Sequence, residues 1–274
     1  MLFRSRGGVR RRGRSQADDI EQLDADLRLA LDAGEIGIVY QPQYDSGSDR
    51  IVGVEALARW NHPQLGQLDA RTLFDAADRS DYLLPLSLHI QRTALMEAGR
   101  WPASLDALRL AINVTAADIA QEDFVPRLLA MISESRFPHE RITVEITESG
   151  LIENIERAGA LLRDLRGEGL RVAIDDFGTG YSSLNHLKRF PVHKLKIDQS
   201  FVRDLGVDWD DAAIVSAIIS LAQALNLETL AEGVETDAQL AMLLNYGCRM
   251  FQGYYFSRPH PADSAAEIFR LPRS

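Results

Sequence analysis

Short apolar runs recur along this chain, and each closes on an acid, an amide or a lysine. Glu55 closes IVGVEAL, Asn113 closes LRLAINVT, and Glu145 and Glu148 close ITVEITES. Asp175 and Asp176 close LRVAIDD, Lys196 and Asp198 close VHKLKID, Glu232 follows LETLAE, and Gln252 follows CRMFQG. The runs have strand length, and a helical pattern follows most of them. Repeated βα units imply a mostly parallel sheet. About eight strands in 274 residues favour a closed barrel over an open one. Parallel strands of a (β/α)8 barrel carry their carboxyl ends to one rim, so these distant side chains are expected to meet there. Carboxylates and an amide carbonyl at one rim suit hard divalent cations. The pattern therefore points to a metal-dependent hydrolase acting on phosphate esters.

The order of elements follows from the same periodicity. A first helix is expected at 18–33, with Ile20, Leu23, Leu27, Leu29 and Leu31 apolar and Gly34 ending it. GIVYQPQYD and RIVGVEALARW flank the turn residues SGSD, which predicts an antiparallel hairpin ahead of the parallel strands. Helices are expected at 71–79 and 85–99. From there the alternation is strand 108–114, helix 124–135, strand 141–147, helix 151–167, strand 170–175, helix 181–188 and strand 193–197. A long helix at 211–225, strand 227–231, helix 236–246, strand 249–252 and a last helix at 262–270 complete it.

Charge divides the chain unevenly. The first fifteen residues hold six arginines and no acid, within an overall net charge of −10. The acidic body argues against binding a nucleic acid polymer. Residues 1–18 read as a basic, disordered tail or linker, and 19–274 as one barrel domain. The tail lacks the apolar stretch of a secretory signal. AAIVSAIISLAQAL (212–225) is too short to span a bilayer and reads as a buried barrel helix with Asp208, Asp210 and Asp211 at its amino end. The single Cys248 excludes an intrachain disulfide and fits a reducing, cytoplasmic setting.

Each acid has a plainer reading taken singly. Asp176 could cap the DFGTGYSS turn while Asp175 pairs with an arginine, Glu55 could be a salt-bridged rim residue, and Glu145 and Glu148 could cap a helix. Together they would crowd one mouth with carboxylates that repel one another unless cations lie between them, with Asp175 placed to bridge a pair. Lys196, one of three lysines with Lys188 and Lys194, is expected to point into that mouth and hold an attacking water or developing charge. GTG lacks the third glycine of a dinucleotide loop, since Ser183 stands there. The six histidines show no zincin spacing, and no GxSxG elbow is present.

Eight ordered segments, YQPQYD (40–45), EALARW (55–60), INVT (112–115), EITES (145–149), DDFGTGYSSL (175–184), KIDQSF (196–201), AEGVET (231–236) and QGYYFSRP (252–259), resemble those of the EAL-domain cyclic-di-GMP phosphodiesterases. The resemblance runs from about Ala25 to Phe269. It implies a modified TIM (β/α)8 barrel with one antiparallel strand, two Mg2+ or Mn2+ ions, and hydrolysis of cyclic-di-GMP to linear pGpG. By the same resemblance, Glu55, Asn113, Glu145 and Asp175 ligate one metal, and Asp175, Asp176 and Glu232 surround the second. Glu232 is also similar to a residue cast as general base. Lys196 resembles the residue that orients water, with Asp198 beside it, and Glu148 resembles the anchor of the DFGTGYSS loop. Gln41, Leu57, Arg59, Glu235 and Gln252 match substrate-binding positions. Thr115 stands where serine is usual. A homodimer and an upstream sensor or GGDEF domain are implied partners, with the chain in the cytoplasm or in the cytoplasmic part of a membrane-tethered protein. The complete ligand set favours an enzyme over a cyclic-di-GMP receptor without catalysis, and the ordered motifs disfavour an enolase-like barrel.

Overall fold

The computed structural model describes residues 16–152, 155–179, 187–206 and 209–264. Ten strands among them form one sheet: β1 (Ile36–Asp45), β2 (Arg50–His62), β3 (Gly66–Leu68), β4 (Arg109–Val114), β5 (Ile142–Thr147), β6 (Arg171–Phe177), β7 (Lys194–Ile197), β8 (Glu228–Ala231), β9 (Met250–Phe251) and β10 (His260–Pro261). Its spatial order is β10-β1-β9-β8-β7-β6-β5-β4-β2-β3, and β1 also pairs with β2, which closes a barrel of eight strands. β1 runs antiparallel to both barrel neighbours, β2 and β9. The remaining barrel pairs, from β2–β4 through β8–β9, are parallel. The barrel is thus a TIM-type barrel with one reversed strand.

Side-chain alternation sorts these strands into two faces. Leu110, Ile112 and Val114 of β4, Val144 and Ile146 of β5, and Val172 and Ile174 of β6 join the core that packs under the surrounding helices. Burying each such side chain stabilises the fold by about 1.5–3 kcal/mol. The intervening residues face the barrel axis. Ala111 and Ala173 are small and leave space there, and the longer side chains of that face are polar: Glu145, Asp175, Lys194 and Lys196, all buried. A barrel interior lined this way is held by ion pairs and hydrogen bonds as well as by apolar layers.

The helices are α1 (Gln16–Ala33), α2 (Ala70–Arg79), α3 (Leu83–Ala98), α4 (Ala116–Ile119), α5 (Phe124–Ser135), α6 (Glu148–Ile152) and α7 (Ile155–Gly167), followed by Gln199–Arg203, Trp209–Ala224 and Asp237–Tyr246. The hairpin and the order of strands and helices agree with the sequence pattern. The short strands β3 and β10 and the short helices 116–119 and 199–203 were not signalled by periodicity, because one period or little more holds no repeat to recognise.

α1 buries Leu27 and Ala30, and Leu29, off that stripe, is 69% exposed. One expectation needs correction. The helix Trp209–Ala224 is not buried all round: Val215, Ile218, Ile219 and Ala222 are buried, while Ile214, at the edge of that stripe, is 38% exposed. The helix at 181–188 falls mostly outside the described residues, as do Asp208 and the end of the helix at 262–270. α1 begins at Gln16, and residues 1–15 of the basic segment lie outside the described residues.

Candidate active site

The carboxyl ends of the barrel strands bring together the acids that the sequence places at run ends. Oxygen atoms of Glu55, Glu145 and Asp175 lie within 4.8 Å of one another, as do those of Asp175, Asp176 and Glu232. Asp175 belongs to both groups. Lys196, 1% exposed, stands among them: its Nζ is 2.7 Å from Glu145 Oε2, 2.7 Å from Glu232 Oε1, 3.0 Å from Asp175 Oδ2 and 3.4 Å from Glu55 Oε2. The plainer readings of a rim salt bridge for Glu55 and an arginine partner for Asp175 are therefore set aside.

Neighbouring amides fix the orientation of Glu55. Asn113 Nδ2 donates to Glu55 Oε1 at 2.8 Å, and Gln252 Nε2 donates to Oε2 at 2.6 Å. Burial alone would raise the Glu55 carboxyl, but Lys196, Asn113 and Gln252 outweigh it and hold it below its ordinary value. Glu145 has less help. Burial, with Glu55 and Asp175 alongside, pushes it to about 8 against the attraction of Lys196. Burial and the Asp175 and Asp198 carboxylates likewise push Asp176 to about 7. One ammonium cannot offset the five carboxylates Glu55, Glu145, Asp175, Asp176 and Glu232, so the cluster retains a demand for positive charge. All-oxygen donors with excess negative charge fit hard divalent cations.

Local backbone geometry sets Asp176 apart from Asp175. Its φ of 51° is a left-handed conformation that costs about 1–2 kcal/mol for a residue with a Cβ. The turn is braced where Asp176 N donates to Asp175 Oδ1 at 2.9 Å and Thr179 Oγ1 donates to Asp176 O at 2.8 Å. In a regular strand the two adjacent carboxylates would point to opposite faces; with the left-handed turn at Asp176, oxygens of Asp175 and Asp176 lie within 4.8 Å of each other. Asp198, expected beside Lys196, has a second role. It caps the helix Gln199–Arg203, accepting from Ser200 N at 2.9 Å, and it faces Asp176.

A cavity of about 250 Å3 opens beside this cluster, lined by Glu55, Asp175, Lys196 and Glu232 together with Gln41, Leu57, Glu235 and Gln252. Arg59 is not among its lining residues; its Nη1 donates to Ala58 O at 2.8 Å, two residues farther along the β2 face that carries Glu55 and Leu57. Gln199, Gly233, Gly253 and Tyr254 also line the cavity and were not singled out from the sequence. Gly233 was signalled only by its glycine within AEGVET: at φ 69° an added Cβ would come within 2.6 Å of Gln199 Cβ. Gln43 was missed as well. It lies two residues from Gln41, hence on the same strand face, and its Nε2 is 3.4 Å from Glu145 Oε1.

The model of the EAL domain family matches residues 24–259. The chain belongs to the EAL domain family. Two bacterial relatives carry informative names. The chain is 37% identical over 240 residues to the cyclic di-GMP phosphodiesterase PdeR of Escherichia coli, covering 88% of this chain and 36% of PdeR. It is 36% identical over 250 residues to the bifunctional diguanylate cyclase/cyclic di-GMP phosphodiesterase MucR of Pseudomonas aeruginosa, covering 91% of this chain and 36% of MucR. This EAL domain therefore spans about a third of the length of the curated relatives it matches. Among solved structures, a PaMucR phosphodiesterase in complex with c-di-GMP superposes with a TM-score of 0.84 at 36% identity, covering 89% of this chain and 99% of that one.

Two further EAL motif positions are explained by their contacts. Glu148 Oε2 accepts from Gly178 N at 2.9 Å, joining the end of β5 to the segment after β6. Thr115 caps α4 in a reciprocal box with Asp118, and its hydroxyl donates to Asp118 Oδ2 at 2.7 Å. A serine would supply the same hydroxyl, so the departure from INVS leaves this cap intact.

Proposed function

We propose that the chain is a metal-dependent phosphodiesterase that hydrolyses cyclic-di-GMP to linear pGpG. The observation that carries this reading is the meeting of two carboxylate groups on Asp175 beside buried Lys196, at a cavity in the carboxyl-end face of the barrel. The names of the EAL relatives and the c-di-GMP complex of PaMucR support the substrate.

Glu55, Asn113, Glu145 and Asp175 would hold one Mg2+ or Mn2+, and Asp175, Asp176 and Glu232 the other. When bound, such cations supply Lewis acidity toward the phosphodiester and make water a stronger acid at neutral pH. The protein's part is positional and electrostatic. Asn113 and Gln252 keep the Glu55 carboxylate aimed at the cluster, and Asp198 beside Asp176 adds to the negative charge there. Lys196 carries a fixed positive charge, since its four carboxylate neighbours outweigh burial and hold its ammonium well above the usual lysine value. It would orient the attacking water and stabilise charge building on the phosphate oxygens. Glu232 at the cavity wall would accept the water's proton. Gln41, Leu57, Glu235 and Gln252 would seat the dinucleotide, and Arg59, on the same strand face, would reach a phosphate or base as the substrate enters. Glu148 would hold the loop after β6 through Gly178.

The chain is further proposed to act as a homodimer, downstream of a sensor or GGDEF domain. Trp209, 90% exposed, and Ile214 offer an apolar surface for self-association, which sedimentation would test. The third of each relative's length that is matched supports further domains, as does the bifunctional name of MucR. No helix among the described residues is long and apolar enough to cross a membrane, and the single buried cysteine agrees with the proposed cytoplasmic site.

The test is incubation of the chain with cyclic-di-GMP plus Mg2+, Mn2+ or EDTA, followed by chromatography. Linear pGpG formed with metal and not with EDTA is the expected result. Retained dinucleotide binding without product would replace this reading with a receptor function.

A further inference from the structure

The opposite end of the barrel holds a second and larger cavity, about 660 Å3, among the strand beginnings. That volume is within the usual range for a small-molecule site, roughly 300–1,000 Å3. Four cations line it: Lys194, Arg109, Arg171 and Arg249. Its two acids, Glu228 and Asp45, already have partners, although Asp45 also feels the charge of Arg249. Glu228 Oε2 pairs with Arg171 Nη2 at 2.8 Å, and Asp45 accepts from Ser48 N at 2.9 Å and from the Ser48 hydroxyl at 2.7 Å.

Lys194 is the decisive residue. It is 3% exposed, and no carboxylate of the described residues lies within 4.0 Å of its ammonium. Its hydrogen bond is to Gln43 Oε1 at 3.5 Å, the outer limit for such a contact. Glu145 and Glu228 favour its charge only from beyond 4.0 Å; a buried ammonium without a contacting counter-ion is costly, and here it borders a cavity that could hold one. Arg109 keeps most of its donors free after a single 3.2 Å bond to Glu140 O. Arg249 forms no ion pair within 4.0 Å among the described residues.

We propose that this cavity is a second binding site, for a phosphate monoester of about mononucleotide size, with its phosphate on Lys194, Arg109 and Arg249. Guanidinium forks bind phosphate with two parallel hydrogen bonds, and the ammonium adds a point charge. Val52, Leu227 and Met250 give the cavity apolar wall for the organic part. The site is separate from the carboxylate cluster, because the two cavities share no lining residue.

Titration of the Mg2+-loaded chain with adenosine 5′-monophosphate and with inorganic phosphate, followed by calorimetry or NMR, tests this. Saturable binding of the nucleotide with a Kd of about 1 mM or tighter is expected, with free phosphate weaker. The double variant Arg109→Gln/Arg249→Gln changes two exposed side chains, so it should fold and keep its basal turnover of cyclic-di-GMP, yet bind about tenfold or more weakly. Lys194→Met should weaken binding similarly, and Glu55→Ala should leave it unchanged. Absence of saturable binding up to about 10 mM would mean that the cavity holds only water and would overturn the proposal. Equal affinity in the double variant would overturn it too, as would loss of binding in Glu55→Ala alone. Binding is read independently of hydrolysis, so this result and that of the turnover assay stand apart.

Discussion

Lys194 and Lys196 are two residues apart on β7 and face the same barrel interior, yet their surroundings are opposite. Lys196 touches four carboxylates within 3.4 Å, and they hold its charge firmly. Lys194 has a distant amide and a cavity shared with three arginines. Burial, only partly offset by Glu145 and Glu228, lowers its ammonium to about 8. The same residue type at nearly the same depth is thus a counter-ion at one end of the barrel and a charge without a contacting carboxylate at the other. The strand provides the direction, and the neighbouring strand ends decide what the charge does.

The largest expected effect is at the carboxylate end. Glu55→Ala removes a proposed cation ligand and leaves the donors of Asn113 and Gln252 without their carboxylate. Turnover of cyclic-di-GMP, measured by chromatography, should fall by about a thousandfold or more, as expected for loss of a group that holds the catalytic ions. The melting curve should remain cooperative, because the change is confined to the rim. Full activity in Glu55→Ala would remove the metal assignment altogether.

Lys196→Met probes the other half of that cluster. Breaking a buried ion pair by deleting one partner costs about 3–5 kcal/mol, and here four acids lose their shared cation. Denaturant unfolding in EDTA should show that loss. Added Mg2+ should return part of it, since a cation bound to the native state alone stabilises by mass action. If Mg2+ left the variant's midpoint unmoved, the carboxylates would not form a cation site.

Much of this arrangement was legible in the sequence, for a physical reason. Strand alternation and run-end position together determine which side chains reach the rim, and Glu55, Asn113, Glu145, Asp175, Lys196, Glu232 and Gln252 all obey that rule. What escaped was set by features that period-two reasoning does not contain. Asp198 was expected at the rim, but not its cap on the following helix, where it accepts from Ser200 N. Arg59 sits on the expected face, but β2 extends past the barrel rim, and its side chain falls back on Ala58. Gln43 was hidden because a glutamine in a strand carries no signal of its own until its partners Glu145 and Lys194 are placed.

Lys194→Met sharpens the contrast from the basal end, with the opposite sign. The folded-state value of Lys194 is about 8, below its ordinary 10.5, so the folded chain binds fewer protons than the unfolded chain between those values. Lys194 therefore costs stability at pH 7, and stability recovers as pH rises from about 8 toward 10.5. Replacing the ammonium with an apolar side chain of similar length should stabilise the chain by about 1–3 kcal/mol at pH 7. The gain should shrink when unfolding is repeated near pH 9.5. Destabilisation at pH 7 would show that the ammonium already has a counter-charge, and the two lysines would then not differ in kind.

The smallest effect is expected from Arg171→Gln. This arginine makes the ion pair of the basal cavity, but the Glu228 side chain is 49% exposed and solvent screens the pair. Removing it forfeits less than about 1 kcal/mol of pairing. It also removes a positive neighbour that disfavours the charged forms of Lys194 and Arg109. The two terms oppose, so the unfolding free energy should shift by no more than about 0.5 kcal/mol in either direction. A loss as large as that of Lys196→Met would mean that the base of the barrel is held by ion pairing as the rim is. A near-zero result would place the strong electrostatics of this fold at the carboxyl ends of its strands, leaving the basal cations free to serve a ligand.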